Sequence, residues 1–150
     1  MTSAPNHDRV RAHRRPGGQA EACALGATFP FDGSESMGDA PPGPAHLLAS
    51  TLAACVLENV ERFSHLLPFR HERATVEVTL ERQDRPPRIV AASYRLVVDT
   101  DEPPRRCALL HEHPQVRHRL EHPRACELSG TLAIRRSSGE LIEETSSQEP

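Results

Sequence analysis

The chain has 150 residues, a net charge of −3 and 18 basic residues, all of which are arginine. The absence of lysine excludes Schiff-base chemistry and a phosphate-loop lysine, and the interleaved charges form no basic field of the kind that binds nucleic acid. No run approaches the roughly 18 apolar residues that span a bilayer, and residues 1–18 have no apolar signal-peptide core. We therefore expect a cytoplasmic protein with no nucleic-acid partner and no membrane partner.

The apolar content predicts a thin core. Hydrophobic residues make up 37% of the chain and aromatic residues only 3%, which is little for a single domain of this length. A thin core favours burial against a second copy of the chain, so we expect a homo-oligomer. In the cytoplasm the four cysteines, Cys23, Cys55, Cys107 and Cys126, are expected to be reduced thiols.

The first part of the chain predicts a hairpin followed by a loop. Residues 9–14 and 19–29 are expected to be two strands joined by a turn at residues 15–18, where Pro and Gly cluster. Residues 32–44 contain further Gly/Pro clusters and no periodicity, which indicates a loop. Residues 1–7 are expected to be disordered.

The clearest predicted element is a helix over residues 44–67. Its apolar residues recur at steps of three and four, Pro44 suits the first turn of a helix, and Pro68 ends the pattern. The predicted apolar stripe consists of Leu48, Leu52, Cys55, Val56, Val60, Phe63 and Leu67.

The second half predicts strands and one more helix. Alternation of apolar and polar residues indicates strands over 76–80 and 90–98, with a turn at 84–87 between them. Residues 103–121 predict an irregular helix interrupted at Pro114. Alternating apolar residues from position 126 to position 134 predict a last strand.

Together these elements predict an α+β domain over residues 8–135. Amphipathic strands with one polar face are typical of antiparallel sheets, so we expect the helices to pack on one side of a mainly antiparallel sheet. Residues 136–150 are polar and acidic and are expected to form a disordered tail.

Cys55 is the candidate nucleophile, at the middle of the predicted long helix. A thiol there gains nothing from the helix dipole, which fades within one turn. A reactive thiolate would therefore need a cation nearby, and without lysine that cation is an arginine or a protonated histidine. The alternative is that Cys55 is a core residue, since free cysteines are among the most buried residues.

Residues 43–55, GPAHLLASTLAAC, resemble the loop and helix that carry the reactive cysteine in the OsmC/Ohr family of thiol-dependent hydroperoxide reductases. The order of the surrounding elements is similar over about residues 8–135, and a looser likeness runs through residues 109–130. The resemblance implies an intertwined homodimer, with two long central helices enclosed by two sheets and active sites at the subunit interface.

The resemblance also implies a mechanism. Cys55 would be the peroxidatic thiol, which is oxidised by an organic hydroperoxide to a sulfenic acid, and a resolving cysteine, here Cys126, would condense with it to a disulfide. An external dithiol, often lipoyl-linked in the family, would reduce the disulfide, and no bound cofactor is expected. The activating arginine would come from the first hairpin, where Arg15 is preferred over Arg11 and Arg14.

Two positions depart from the family pattern. His46 stands where the family's helix usually carries the glutamate that orients the activating arginine. His113 and Pro114 stand where the family has Cys-Pro, so Cys126 is displaced to the last strand, and its alternative interpretation is a core residue. Cys23 and Cys107 are interpreted as structural.

A metal site is not expected, although potential ligands crowd one segment. Pro114 and Pro123 interrupt this segment, its arginines disfavour a dication, and it contains no CxxC or HExxH pattern. Surface histidines are the simpler interpretation of the potential ligands, which are His111, His113, His118, His122 and Cys126.

Two functions follow from these observations. The main prediction is a cysteine-based peroxidase that reduces organic hydroperoxides in oxidative stress defence, because Cys55 keeps its small-residue context. The alternative is a protein of the same fold that has lost catalysis and binds an apolar small molecule, which the changes at His46 and His113 favour.

Overall fold

The computed structural model describes residues 8–34, 42–112 and 127–149. The chain divides into two compact units, the first ending at Leu48 and the second beginning at Ala49. Within the described residues, seven strands and two helices follow one another as β1 (Arg11–Arg14), β2 (Gln19–Ala24), β3 (Ala27–Asp32), α1 (Pro44–Leu66), β4 (Arg73–Asp84), β5 (Pro87–Asp99), α2 (Pro104–Glu112), β6 (Glu127–Arg135) and β7 (Leu141–Glu149).

The first unit contains an antiparallel sheet with the strand order β1-β2-β3. The turn predicted at residues 15–18 is present, and Gly17 and Gly18 have φ angles of 93° and 90°, which glycine adopts without a steric penalty. The single strand predicted over 19–29 is wrong. A turn at Leu25 and Gly26, with φ angles of 51° and 82°, divides it and returns β3 along β2.

The second unit contains a four-stranded sheet with the order β4-β5-β6-β7. Strands β4 and β5 form the predicted antiparallel hairpin, and β6 and β7 are also antiparallel. Strand β6 runs parallel to β5, which requires a crossover connection, and that connection contains α2. The prediction of a mainly antiparallel sheet is therefore confirmed, with one parallel pair at its centre.

The disordered tail predicted over residues 136–150 is wrong for residues 141–149, which form β7. A turn leads into this strand, with the Arg136 N–H donating to the Glu140 carbonyl at 2.8 Å and Gly139 at a φ of 95°. Strand β7 is polar because it lies at the sheet edge and is held mainly by its backbone pairing with β6. Ile142 alone among its described side chains packs against the core.

In the second unit, helix α2 and the part of α1 from Ala49 onward pack on one face of the sheet, as predicted. Helix α1 contributes the fully buried side chains Val56, Val60 and Phe63 to the core, and α2 contributes Cys107 and Leu110. The sheet supplies the remaining buried members of this cluster, Leu96, Val98 and Ile134, and the segment after α1 supplies Phe69. Among the described residues, no helix combines the length and the apolar character that crossing a bilayer requires.

The buried stripe of α1 is narrower than the predicted one. Leu48 and Leu67 are 48% and 37% exposed, and Leu52 and Cys55 are only partly buried. Within the second unit only the face centred on Val56 and Val60 is covered, so the apolar residues beside it keep contact with solvent.

Candidate active site

Cys55 lies on the flank of α1, beside the core rather than inside it. The next residue, Val56, is fully buried, whereas Ala54 is exposed and Cys55 is partly buried as a free thiol. The residue is therefore neither sealed in the core nor fully exposed to solvent, which departs from the interpretation of Cys55 as a core residue.

A polar row continues from Cys55 along α1. Glu58, Asn59 and Arg62 follow it at three-, four- and seven-residue spacing, so their side chains share one side of the helix. We call Cys55, Glu58, Asn59 and Arg62 the Cys55 row. The row lies beside the buried stripe and forms the immediate polar surroundings of the thiol along this helix.

Arg62 connects the other two polar members of the Cys55 row. Its Nη2 donates to Oε1 of Glu58 at 2.9 Å, and its Nη1 donates to Oδ1 of Asn59 at 3.4 Å. The negative charge of Glu58 is therefore paired with a guanidinium. Both members of the ion pair have substantially exposed side chains, so the pair orients groups more than it adds stability.

Asn59 is the residue of this row that sequence reasoning missed. It is only 3% exposed, and its Nδ2 has no hydrogen-bond partner among the described residues. An unsatisfied buried donor costs about 1–3 kcal/mol and calls for an explanation. The four-residue spacing from Cys55 was visible in the sequence, but the burial of Asn59 and its unused donor were not.

Arg15 lines a cavity in the first unit. The cavity has a volume of about 170 Å³ and is bordered by His13, Arg15, Gln19, Ala20, Glu21, Pro30 and Phe31. On its rim, Nε2 of His13 lies 3.5 Å from Oε2 of Glu21, whereas Arg14, one of the alternatives to Arg15, donates to the Gly33 carbonyl at 3.2 Å. The cavity therefore combines a guanidinium with an apolar wall of Pro30 and Phe31.

His46 serves as a cap at the start of α1. The backbone N–H of Gly43 donates to Nδ1 of His46 at 3.2 Å, and the backbone N–H of His46 donates to the Gly43 carbonyl at 3.0 Å. The contact from the Gly43 N–H to the His46 side chain is one half of a capping box, in which a glutamate or glutamine usually occupies the position of His46. The other half is absent, because Gly43 has no side chain to accept from the His46 N–H. The imidazole thus replaces a carboxylate in capping the helix, while a role of His46 towards an arginine stays untested.

The capping role of His46 predicts a specific pattern of stability. His46→Ala is expected to lower the free energy of unfolding by about 0.5–1 kcal/mol, because the Gly43 N–H loses its acceptor, whereas His46→Gln keeps an acceptor and most of the stability. Urea unfolding measures both, with His65→Ala as the control, since His65 is an exposed histidine of the same helix. Equal losses in the Ala and Gln variants would rule out the cap.

The remaining cysteines divide into two groups. Cys107 is fully buried with its Sγ 3.6 Å from the Glu102 carbonyl oxygen, and burial raises the pKa of its thiol, which agrees with a structural role. Cys23 is partly buried, 3.6 Å from the Thr28 hydroxyl. Cys126 lies outside the described residues, so its role as resolving thiol or core residue stays a prediction.

The structure does not test whether the predicted catalytic residues form one site. Cys55 belongs to the second unit, Arg15 belongs to the first, and Cys126 is outside the described ranges. Most of the histidine-rich segment is outside them as well. Among the described residues, no group of three His, Cys, Asp or Glu side chains could hold a metal ion.

Comparison with known proteins finds similarity in structure and none in sequence. No protein-family model matches the chain, and no curated protein matches it in sequence. An OsmC-like protein from Mycoplasma pneumoniae matches with a TM-score of 0.69 and 13% identity, over 87% of this chain and 99% of that one.

Two further solved structures are named for organic hydroperoxide resistance. OhrB of Bacillus subtilis matches with a TM-score of 0.53 and 17% identity, over 87% of this chain and 98% of that one. The OsmC protein of Legionella pneumophila matches with a TM-score of 0.54 and 15% identity, over the same shares of the two chains. At such identities the likeness establishes the fold and leaves the activity to be argued from the residues.

Proposed function

We propose that this chain, which has the OsmC/Ohr fold, is a cysteine-based reductase of organic hydroperoxides with Cys55 as its peroxidatic thiol. The observation that carries the proposal is the position of Cys55, a partly exposed free thiol at the middle of α1, on the flank of the core. Two structural neighbours are named for organic hydroperoxide resistance, which supports the same reaction class for this chain.

The proposed reaction is a two-electron oxidation of sulfur. The Cys55 thiolate attacks the terminal oxygen of the hydroperoxide, the S–O bond forms as the O–O bond breaks, and the leaving alkoxide takes up a proton to become an alcohol. The Cys126 thiol then condenses with the Cys55 sulfenic acid, which forms a disulfide and releases water. An external dithiol reduces the disulfide and is itself oxidised.

We propose that Arg15 activates the thiol, as the resemblance to the OsmC/Ohr family implies. A guanidinium favours the thiolate over the thiol, and Arg15 is the hairpin arginine that lines the cavity in the first unit. Arg14, by contrast, is engaged with the Gly33 carbonyl.

We also propose that the protein acts as a homodimer. Helix α1 keeps large apolar side chains in contact with solvent, including Leu57 at 37% and Leu66 at 55% exposure. Removing such side chains from water contributes roughly 25 cal/mol per Å² of apolar surface, which favours association with a second copy.

Intact-mass measurement tests the proposed function. After one equivalent of cumene hydroperoxide, the wild type is expected to lose two hydrogens as the disulfide forms. Cys126→Ser is expected instead to gain oxygen at Cys55 as sulfenic or sulfinic acid, because the resolving thiol is missing. A Cys107→Ala variant is the control and should form the disulfide like the wild type, since Cys107 is buried in the core.

One outcome of this measurement would change the resolving cysteine, and another would refute the peroxidase function. If Cys107→Ala and not Cys126→Ser stops at the oxygenated thiol, the resolving role belongs to Cys107. If the Cys55 peptide of the wild type stays unmodified, the peroxidase proposal fails. The alternative function, a protein of the same fold that binds an apolar small molecule without catalysis, would then explain the data better. The use of His46 as a helix cap in place of a carboxylate favours that alternative.

A further inference from the structure

The unused amide donor of Asn59 is a feature of the Cys55 row that the reaction above does not employ. Asn59 is 97% removed from solvent, since its exposure is 3%, yet its Nδ2 has no partner among the described residues. A hydrophobic residue of similar size would fill this place without the desolvation cost of a lone donor. Packing alone therefore does not explain why Asn59 is polar.

Arg62 determines which way the Asn59 amide faces. A guanidinium has only donors, so the amide must present its oxygen to Arg62, as it does in the 3.4 Å contact between Nη1 and Oδ1. The same guanidinium also donates to Oε1 of Glu58, so the Asn59 oxygen is held on the Arg62 side of the amide. The nitrogen lies on the opposite side of the amide, where no described residue pairs with it.

Helix geometry places the Asn59 and Cys55 side chains on neighbouring turns of the same side of α1. Residues four apart on a helix have Cβ atoms about 5–6 Å apart, and helical side chains lean towards the amino terminus. The Asn59 side chain therefore leans over the turn that carries Cys55. At this spacing, one oxygen atom bound to Sγ would lie within reach of a hydrogen bond from Nδ2.

We propose that Asn59 is a catalytic residue whose Nδ2–H donates to the oxygen that Cys55 takes from the peroxide, with Arg62 and Glu58 as positioning residues. This inference rests on the proposed peroxidase function. As the O–O bond breaks, negative charge develops on the peroxide oxygens, and a fixed, buried donor stabilises such charge without reorganisation. Sulfur is oxidised by two electrons, the peroxide is reduced to an alkoxide that takes up a proton, and the transferred oxygen remains on Cys55 as sulfenic acid.

The test compares two reagents on the same thiol. In Asn59→Leu, the rate of Cys55 oxidation by cumene hydroperoxide is expected to fall at least about tenfold, as for loss of one donor to a developing oxyanion. The rate of alkylation by iodoacetamide should change little, because that reagent transfers no oxygen. Urea unfolding should show equal or higher stability, because an unsatisfied buried donor has been removed. The Cys55 peptide is followed by mass spectrometry after quenching.

A second variant acts from the surface and leaves the core unchanged. Arg62→Leu removes the group that orients the Asn59 amide, and it is expected to lower the peroxide rate less than Asn59→Leu does, again with little effect on alkylation. Arg88→Leu is the matched control, because it removes the same charge from an exposed arginine that contacts Gln83 on the β4–β5 hairpin. The control should react with peroxide like the wild type.

Distinct outcomes separate failure of this inference from failure of the proposed function. A wild type that reacts with peroxide at Cys55 while Asn59→Leu reacts equally fast overturns the role of Asn59 and leaves the peroxidase intact. An equal fall in both the peroxide and the alkylation rates also overturns it, since Asn59 would then act on the thiol and not on the oxygen. A wild-type Cys55 that does not react with peroxide refutes the peroxidase itself.

Discussion

Cys55→Ser is expected to reduce cumene hydroperoxide at least about a thousandfold more slowly than the wild type, as loss of a covalent nucleophile does in other enzymes. A serine hydroxyl is not ionised at neutral pH, and its oxygen cannot take up a second oxygen as sulfur does. Disappearance of the peroxide in the presence of dithiothreitol measures the rate. The unfolding transition should stay close to that of the wild type, because Cys55 is only partly buried.

Two other cysteines provide controls for this experiment. Cys107→Ala should keep the wild-type rate, because the Cys107 thiol is buried and burial raises its pKa. Cys23→Ser should also keep it, since Cys23 lies in the first unit beside the Thr28 hydroxyl. If Cys23→Ser loses activity while Cys55→Ser retains it, the reactive thiol is in the β1–β3 sheet and not on α1.

Asp99→Asn is expected to lower the free energy of unfolding by about 1.5–3 kcal/mol at pH 7, the usual range for hydrogen bonds to charged groups. Asp99 lies at the end of β5 and pairs in register with Arg73 on β4 and Arg135 on β6. Arg135 donates to both carboxylate oxygens, from Nε at 2.7 Å and from Nη2 at 3.0 Å. The partly exposed guanidinium of Arg135 can regain water, which keeps the loss below that of a fully buried pair.

The contribution of the Asp99 carboxylate to the free energy of unfolding should decrease as the pH falls. The hydrogen bonds from Arg135 lower the pKa of the Asp99 carboxyl, against the opposing effect of burial, and the charges of Arg135 and Arg73 lower it further. Since the folded-state pKa is lowered, the contribution is fully present above the unfolded-state pKa of about 3.9. It is lost as the pH falls through the folded-state value.

Urea unfolding of the wild type and Asp99→Asn between pH 7 and pH 3 measures this dependence. The difference between the two proteins should be constant down to about pH 5 and should shrink below about pH 4. Asp84→Asn is the control, since it neutralises an exposed carboxylate at the end of β4 and should change stability little. A difference that stays constant down to pH 3 would show that the loss is due to packing and not to the charge.

The local elements with strong patterns were predictable from the sequence. Helix α1 was predicted over 44–67 and spans Pro44–Leu66, because its three- and four-residue apolar steps and the flanking prolines act within the segment itself. The β4–β5 hairpin was predictable for the same reason, since strict alternation over several residues indicates one covered face. The resemblance of residues 43–55 to the OsmC/Ohr helix likewise predicted the fold.

The incorrect predictions have separate physical causes. Leu25 precedes Gly26 in the turn between β2 and β3, and leucine at a positive φ carries none of the usual turn signal. Strand β7 is polar, so its composition resembles a tail, and only pairing with β6 makes it a strand. The parallel placement of β6 beside β5 is likewise set by the crossover and not by either strand's own pattern.

The sequence by itself determined the long helix, the position of Cys55 on it and the α+β class, since periodicity and motif are local properties of the chain. Only the tertiary structure decided which side of α1 is buried, since burial depends on the sheet that covers it. Because this side of α1 is covered, Cys55 lies at the edge of the core and the side-chain amide donor of Asn59 is buried. Whether a buried donor finds a hydrogen-bond partner depends on the residues that fold around it, so no local sequence pattern predicts it.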